Sequence, residues 1–255
     1  MSLLNQMESV WILVIRKPLP AKGGVFLMIQ GIAFDLEGTI IDLEYLHWQG
    51  HLAAAREFGI HMELEEAIKY IPHFVGGPDE AIAEEIAALL NKSNKDQSDF
   101  ILNRTRYYFI KSLEDIDKIE IRKSFLRIYC SFKDRCLPMT IGSLTTRSIA
   151  EILLKKSSLD QYFFPECILL REDVKKVKPD PEIYLKTARR MNILPEQQLV
   201  FEDSINGIIA ARRANSIPIG IPTLNNNSFM AQMLKAGAFK VYSCWDDVNV
   251  EDLFN

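Results

Sequence analysis

From Ile29 to the C-terminus, short apolar runs alternate with stretches of helical period, and no other feature restricts the fold as strongly. Strands separated by helices close into a parallel sheet with helices on both faces, a Rossmann-like α/β core. Strands are expected over 29–34, 138–142, 166–170, 199–201, 217–220 and 239–242, and helices over 145–156, 181–191, 205–214 and 228–236. Pro181 suits a first helical turn, and Asp203 or Ser204 suits an N-cap.

One connection breaks the regularity. About a hundred residues separate the first strand from the second, far more than a crossover helix needs. Helices are expected there over 44–58, 78–90 and 98–113, with a polar break at 91–96 and a return near 117–121, followed by a core helix over 122–133. The reading is an α-helical cap, 44–117, inserted into a core made of 28–43 and 118–255. Residues 1–27 read as an N-terminal extension or leader, because the apolar run 10–15 is only six residues long and no positive charge precedes it.

With 255 residues, 48% of them hydrophobic, the chain is long enough to bury a sizeable core. Its net charge of −4 provides no basic excess for nucleic acid, and no run approaches a membrane span. Cys130, Cys136, Cys167 and Cys244 lack CxxC spacing and read as reduced packing residues, with no zinc site. The expected setting is cytoplasmic and the expected partner a small molecule; oligomeric state is not legible.

Four segments place chemistry at the carboxyl ends of strands, where open α/β sheets bind ligands. In Phe34-Asp35-Leu36-Glu37-Gly38-Thr39 a carboxylate ends a buried strand and a second follows two residues on, spacing that suits a nucleophile with an acid/base partner. Ser143 follows Met139-Thr140-Ile141-Gly142, where a hydroxyl and the neighbouring backbone N–H at Leu144 can hold a phosphate oxygen. Lys178 lies in a segment stiffened by Pro179 and Pro181 and can neutralise phosphate or crowded carboxylates. Glu202-Asp203 puts adjacent acids at a strand end, which is unfavourable unless they are paired or bound to a hard cation such as Mg²⁺. Each segment has a plain reading as a cap, turn or solvated run; their joint occurrence in this order is what points to a site.

The segments Lys178-Pro179-Asp180-Pro181-Glu182-Ile183-Tyr184 and Phe201-Glu202-Asp203-Ser204-Ile205-Asn206-Gly207-Ile208-Ile209-Ala210-Ala211 resemble the haloacid dehalogenase superfamily, in the branch of β-phosphoglucomutase and related sugar-phosphate phosphatases. The resemblance spans about residues 28 to 255 and implies a Mg²⁺-dependent phosphatase acting on a small phosphorylated metabolite. It implies that Asp35 attacks phosphorus, Glu37 is the acid/base, and Ser143, Leu144, Lys178, Gly38, Thr39 and His47 hold the phosphoryl group or substrate. It further implies Mg²⁺ at Asp35, Glu37 through its backbone carbonyl, and Asp203, with Glu202 in or beside that shell. His47 lies in the stretch Asp42-Leu43-Glu44-Tyr45-Leu46-His47, which matches the family's hinge into the cap.

Two departures stand out. The family usually carries Asp where this chain has Glu37, although its enolase-phosphatase group has a similar Asp-x-Glu-Gly-Thr. β-Phosphoglucomutases carry a cap arginine after a Gly-containing loop, whereas the loop here runs Val75-Gly76-Gly77-Pro78-Asp79, with acid where a second phosphate needs a base. His47, Trp48, His51, His73 and Phe74 are candidates for a cap pocket, each with an ordinary packing alternative. Rival readings are a phosphoglucomutase-like phosphotransferase, a metal-independent carbon–halogen hydrolase, and a non-catalytic binding protein of the same fold.

Overall fold

The computed structural model describes residues 19–20, 26–27, 29–74, 78–90, 95–223 and 226–254. The expected extension at 1–27 lies almost wholly outside these residues, as do the loop at 75–77 and most of the polar break at 91–96.

The core is a six-stranded, all-parallel sheet made of β1 (Gly31–Phe34), β2 (Met139–Gly142), β3 (Ile168–Leu169), β4 (Gln198–Glu202), β5 (Ile217–Gly220) and β6 (Lys240–Val241). Their spatial order is 3-2-1-4-5-6. Neighbours of β1 leave in opposite directions along the sheet, so the switch point falls between β1 and β4, and a crevice opens at their carboxyl ends. The registers of Phe34 with Ile141 and with Phe201 bring the ends of β1, β2 and β4 level. Below this edge Phe34 stacks on Phe201 and meets Phe125 edge-on, with Trp245 closing the same aromatic cluster.

Several strands are shorter than their apolar runs. The run ending at Leu170 pairs only at Ile168 and Leu169, because Pro165–Cys167 forms a 3₁₀ turn. Pro165 has no N–H to give a ladder.

Helices α1 (Glu44–Glu57), α2 (Leu64–Tyr70), α3 (Asp79–Leu89) and α4 (Lys95–Asp115) lie between β1 and β2. They enclose a separate apolar cluster that includes Ala54, Ile71, Phe74, Ile82, Ile86 and Ile101. α2 is not apparent from apolar period alone; its start is marked by Glu63, whose N–H donates to the Glu66 carboxylate. The polar break does not reach Asp96, since α4 already begins at Lys95. Ile121 bridges Ile41 antiparallel, which brings the outgoing and returning strands of this excursion together. The core helix after the return, α5 (Phe125–Asp134), starts three residues beyond the expected Arg122. Arg122 instead donates to carbonyls at the ends of β1 and β5. α6 (Arg147–Ser157), α7 (Glu182–Arg190), α8 (Ile205–Arg213) and α9 (Asn227–Ala236) complete the core. Among the described residues no helix is long and apolar enough to cross a membrane.

Candidate active site

Asp35 follows β1 directly, and its N–H donates to the Phe201 carbonyl, which ties it to β4. The chain then turns tightly: Ile40 and Ile41 both donate to Leu36 O, and Gly38 N–H donates to Ile41 O. Gly38 has φ +78°, and a Cβ there would lie 2.1 Å from Asp203 Oδ2, so only glycine lets the two loops approach. Thr39 is fully buried and its hydroxyl donates to Asp203 Oδ1 at 3.0 Å. Gly38 N–H and the Thr39 hydroxyl are therefore committed to building the turn. Neither group is free for the phosphoryl contact expected of Gly38 and Thr39, whereas among the described residues the Thr39 N–H donates to no protein acceptor.

Lys178 reaches the same point from the segment before α7. That segment is a constructed loop: the N–H groups of Lys175 and Lys176 both donate to Glu182 Oε2 at 2.9 Å, and Asp180 Oδ1 accepts Glu182 N–H. The Lys178 side chain is 6% exposed, and Nζ lies 2.5 Å from both Asp35 Oδ1 and Glu202 Oε1. Glu202 is fully buried. Its Oε1 also accepts the Tyr184 hydroxyl, and its Oε2 accepts Ser204 N–H and Oγ–H. Its carboxyl group lies over the first turn of α8, where a Cβ at position 207 would come within 1.8 Å of Glu202 Cδ, so Gly207 is required. Both Glu202 oxygens are thus taken by protein donors. Of the two places expected for Glu202, in the metal shell or beside it, these bonds favour the second, where it anchors Lys178.

Asp35, Glu202 and Asp203 are crowded against a single lysine. Burial pushes the Asp35 carboxyl up to about 7; Lys178 opposes this, and the charges of Glu202 and Glu37 add to it. Burial and the charges of Glu202 and Asp35 likewise hold Asp203 well above the usual carboxylate range. Burial disfavours the Lys178 ammonium, but Asp35 and Glu202 outweigh it and raise its pKa.

The second carboxylate, Glu37, points into the site. Its Oε1 accepts the Thr145 hydroxyl, and its Oε2 lies 3.8 Å from His47 Nε2. Thr145 also bonds Ser143 Oγ at 3.0 Å, so Ser143, Thr145 and Glu37 form one chain across the crevice. Ser143 N–H donates to Leu169 O, whereas among the described residues the N–H groups of Leu36, Glu37 and Leu144 donate to no protein acceptor. His47 on α1 stacks on Phe109. Burial opposes its imidazolium, yet Glu37, Asp79 and Glu44 together raise its pKa.

Of the other cap candidates, His51 lies beside Asp79 and close to His47. Trp48 donates to Glu44, His73 pairs with Glu85 outside the site, and Phe74 is buried in the helical cluster. Thr145, Tyr184 and Arg122 carry no local signal strong enough to single them out, although Tyr184 closes the Lys178–Tyr184 motif. Arg122 donates to the carbonyls of Gly38, Thr39, Ile221 and Pro222.

A profile described as haloacid dehalogenase-like hydrolase matches residues 32–221. The chain belongs to that family. As a haloacid dehalogenase-like hydrolase it is 29% identical over 197 residues to the Escherichia coli fructose-1-phosphate phosphatase YqaB, covering 76% of this chain and 97% of the relative. It is 26% identical over 226 residues to a phosphorylated carbohydrates phosphatase of Thermotoga maritima, covering 87% and 98%. The fold matches a family IA, variant 3 hydrolase of this family from Entamoeba histolytica with a TM-score of 0.71 and 22% identity, over 88% of this chain and 97% of that one.

Proposed function

We propose that this hydrolase is a Mg²⁺-dependent phosphatase that cleaves a small phosphate monoester, a sugar phosphate or similar metabolite, through an aspartyl-phosphate intermediate. The observation that carries this reading is the position of Lys178, within 2.5 Å of both Asp35 and Glu202, beside backbone N–H groups that donate to no protein acceptor among the described residues. A tetrahedral anion placed above Asp35 meets an ammonium and several N–H donors.

The donor set fits Mg²⁺. Three carboxyl groups, Asp35, Glu202 and Asp203, face one lysine, so without a further cation Asp35 and Asp203 resist ionising. Among the described residues, Asp35 Oδ2, Asp203 Oδ2 and the Glu37 carbonyl accept no protein hydrogen bond. No three His, Cys, Asp and Glu side chains there converge into a closed cage. Mg²⁺ suits such a site, since it keeps several waters and takes only one or two carboxylates. Asp35, Asp203 and the Glu37 carbonyl would hold it, and when bound it neutralises charge on the transferring phosphoryl group.

Asp35 attacks phosphorus as the P–O bond to the alcohol breaks, and Glu37 gives its proton to the departing oxygen. Lys178, the Ser143 hydroxyl and the N–H groups of Leu36, Glu37 and Leu144 stabilise the equatorial oxygens. Glu37 then takes a proton from water, which attacks phosphorus, releases inorganic phosphate and restores Asp35. The helices α1–α4 act as a cap that closes over the crevice and excludes bulk water. Phosphate release from phenyl phosphate tests the reading: Mg²⁺ should support it, EDTA should abolish it, and Asp35→Asn should lower it by roughly three orders of magnitude or more. Full activity in Asp35→Asn would sink the mechanism.

A further inference from the structure

His51 is 1% exposed, yet it is a polar side chain with both ring nitrogens in use. Nε2 lies 3.0 Å from Asp79 Oδ1, and Nδ1 lies 3.3 Å from the Thr105 hydroxyl. The tautomer with its proton on Nε2 satisfies all three groups: it donates to Asp79 and accepts from Thr105 on α4. Asp79 opens α3 and is fixed in direction by this buried donor. On its other side His47 Nδ1 lies 3.9 Å from the same Asp79 oxygen, while His47 Nε2 faces Glu37. One imidazole ring therefore separates the Asp79 carboxylate from the acid/base carboxylate. Asp79 keeps 30% of its side-chain surface exposed, and among the described residues no donor reaches its Oδ2.

This arrangement places a held anion beside the position where a leaving alcohol receives its proton. Two carboxylates, Glu37 and Asp79, share one histidine there. Even with His47 carrying its proton, one positive charge stands between two carboxylates, so a second phosphate or carboxylate on the alcohol would be set against Asp79 in a partly buried cleft where like charges repel strongly. A hydroxyl or ammonium group would find an open acceptor. Resting on the phosphatase reading, we propose that Asp79, oriented by His51, is a specificity-determining residue that restricts this enzyme to monophosphates whose leaving alcohol carries no second anion.

The test uses substituted phenyl phosphates, whose turnover does not depend on knowing the natural substrate. Phenyl phosphates bearing para hydroxymethyl, aminomethyl or carboxylate groups would be compared by kcat/KM with Mg²⁺ present. Wild type should favour the hydroxymethyl and aminomethyl esters over the carboxylate by at least about tenfold. Asp79→Asn still accepts from His51 but carries no charge, and it should bring the ratio close to one. Asp79→Glu should retain the preference. Equal turnover of all three esters by wild type, or a preference that survives Asp79→Asn, would overturn the assignment. If no ester is hydrolysed by any variant, the phosphatase reading itself fails, a result distinct from loss of discrimination.

Discussion

The guanidinium of Arg122 donates to the carbonyl oxygen of Gly38, so the residue that ends the return from the helical excursion grips the turn that carries Asp35 and Glu37. The same group donates to Thr39 O, Ile221 O and Pro222 O, and its own N–H donates to Ile40 O. One cation thus gathers carbonyls from the ends of β1 and β5. Trp245 supports the arrangement by donating to Thr39 O at 2.8 Å.

Arg122→Leu would leave these carbonyls without their shared donor. Charged hydrogen bonds of this kind contribute about 1.5–3 kcal/mol each when a partner is removed. The variant should lose about 2–4 kcal/mol of unfolding free energy in urea and lose phosphate turnover more in kcat than in KM, because the turn rather than substrate contact is disturbed. Wild-type kcat in a folded variant would show that the turn holds itself.

Lys178→Met removes the cation held against both Asp35 and Glu202. Breaking a buried ion pair from one side costs about 3–5 kcal/mol, because the remaining charge is stranded. The loss should be largest near neutral pH and shrink in acid, where Asp35 takes a proton. Urea titrations at two pH values measure it. Hydrolysis of phosphate esters should fall by at least about a hundredfold, since a preorganised positive group is lost.

Glu37→Gln keeps size and removes proton transfer, a change worth about 10²–10⁴ in rate. The side chain is bonded to Thr145 and faces His47, so it does not simply turn to solvent. A phosphate of an acidic phenol needs little help to leave and should still phosphorylate Asp35, giving a burst of one phenol per enzyme before a slow steady state. Alkyl phosphates should show no burst. Alkyl turnover within a few-fold of wild type would remove Glu37 from the mechanism.

The crowded carboxylates make the metal-free protein sensitive to base. Asp35 is raised from 3.8 to about 7, so between those values the folded state keeps a proton that the unfolded chain releases. Stability therefore falls as pH rises through this window. Asp203, also raised, acts in the same direction. His47, with its pKa raised, contributes stability below its ordinary value that is lost as pH rises through its folded one. In EDTA the melting temperature should decline from about pH 5 to about pH 8. Asp35→Asn should flatten the decline, and Mg²⁺ should raise the melting temperature most at the alkaline end. A melting temperature that rises with pH would refute this charge balance.

Much was determined by the sequence alone. Apolar runs of strand length separated by helical periods specify a parallel sheet, and the positions of Asp35, Ser143 and Glu202-Asp203 just beyond those runs place their chemistry at one edge. Period and spacing are local quantities, so they fix where a side chain sits along its own strand or helix. They do not fix which oxygen meets which donor. Gly38 and Thr39 read as phosphate ligands, yet the Gly38 N–H and the Thr39 hydroxyl are taken by Ile41 and Asp203. Glu202 reads as a metal ligand, yet Lys178, Tyr184 and Ser204 saturate it. The grip of Arg122 on Gly38 and the line from Glu37 through His47 to Asp79 and His51 join segments far apart in the chain. Such contacts exist only once β1 lies against β4 and the four helices pack over the crevice. Close packing then leaves each buried polar group a small set of partners, and the requirement that each be satisfied decides which of the possible roles it takes.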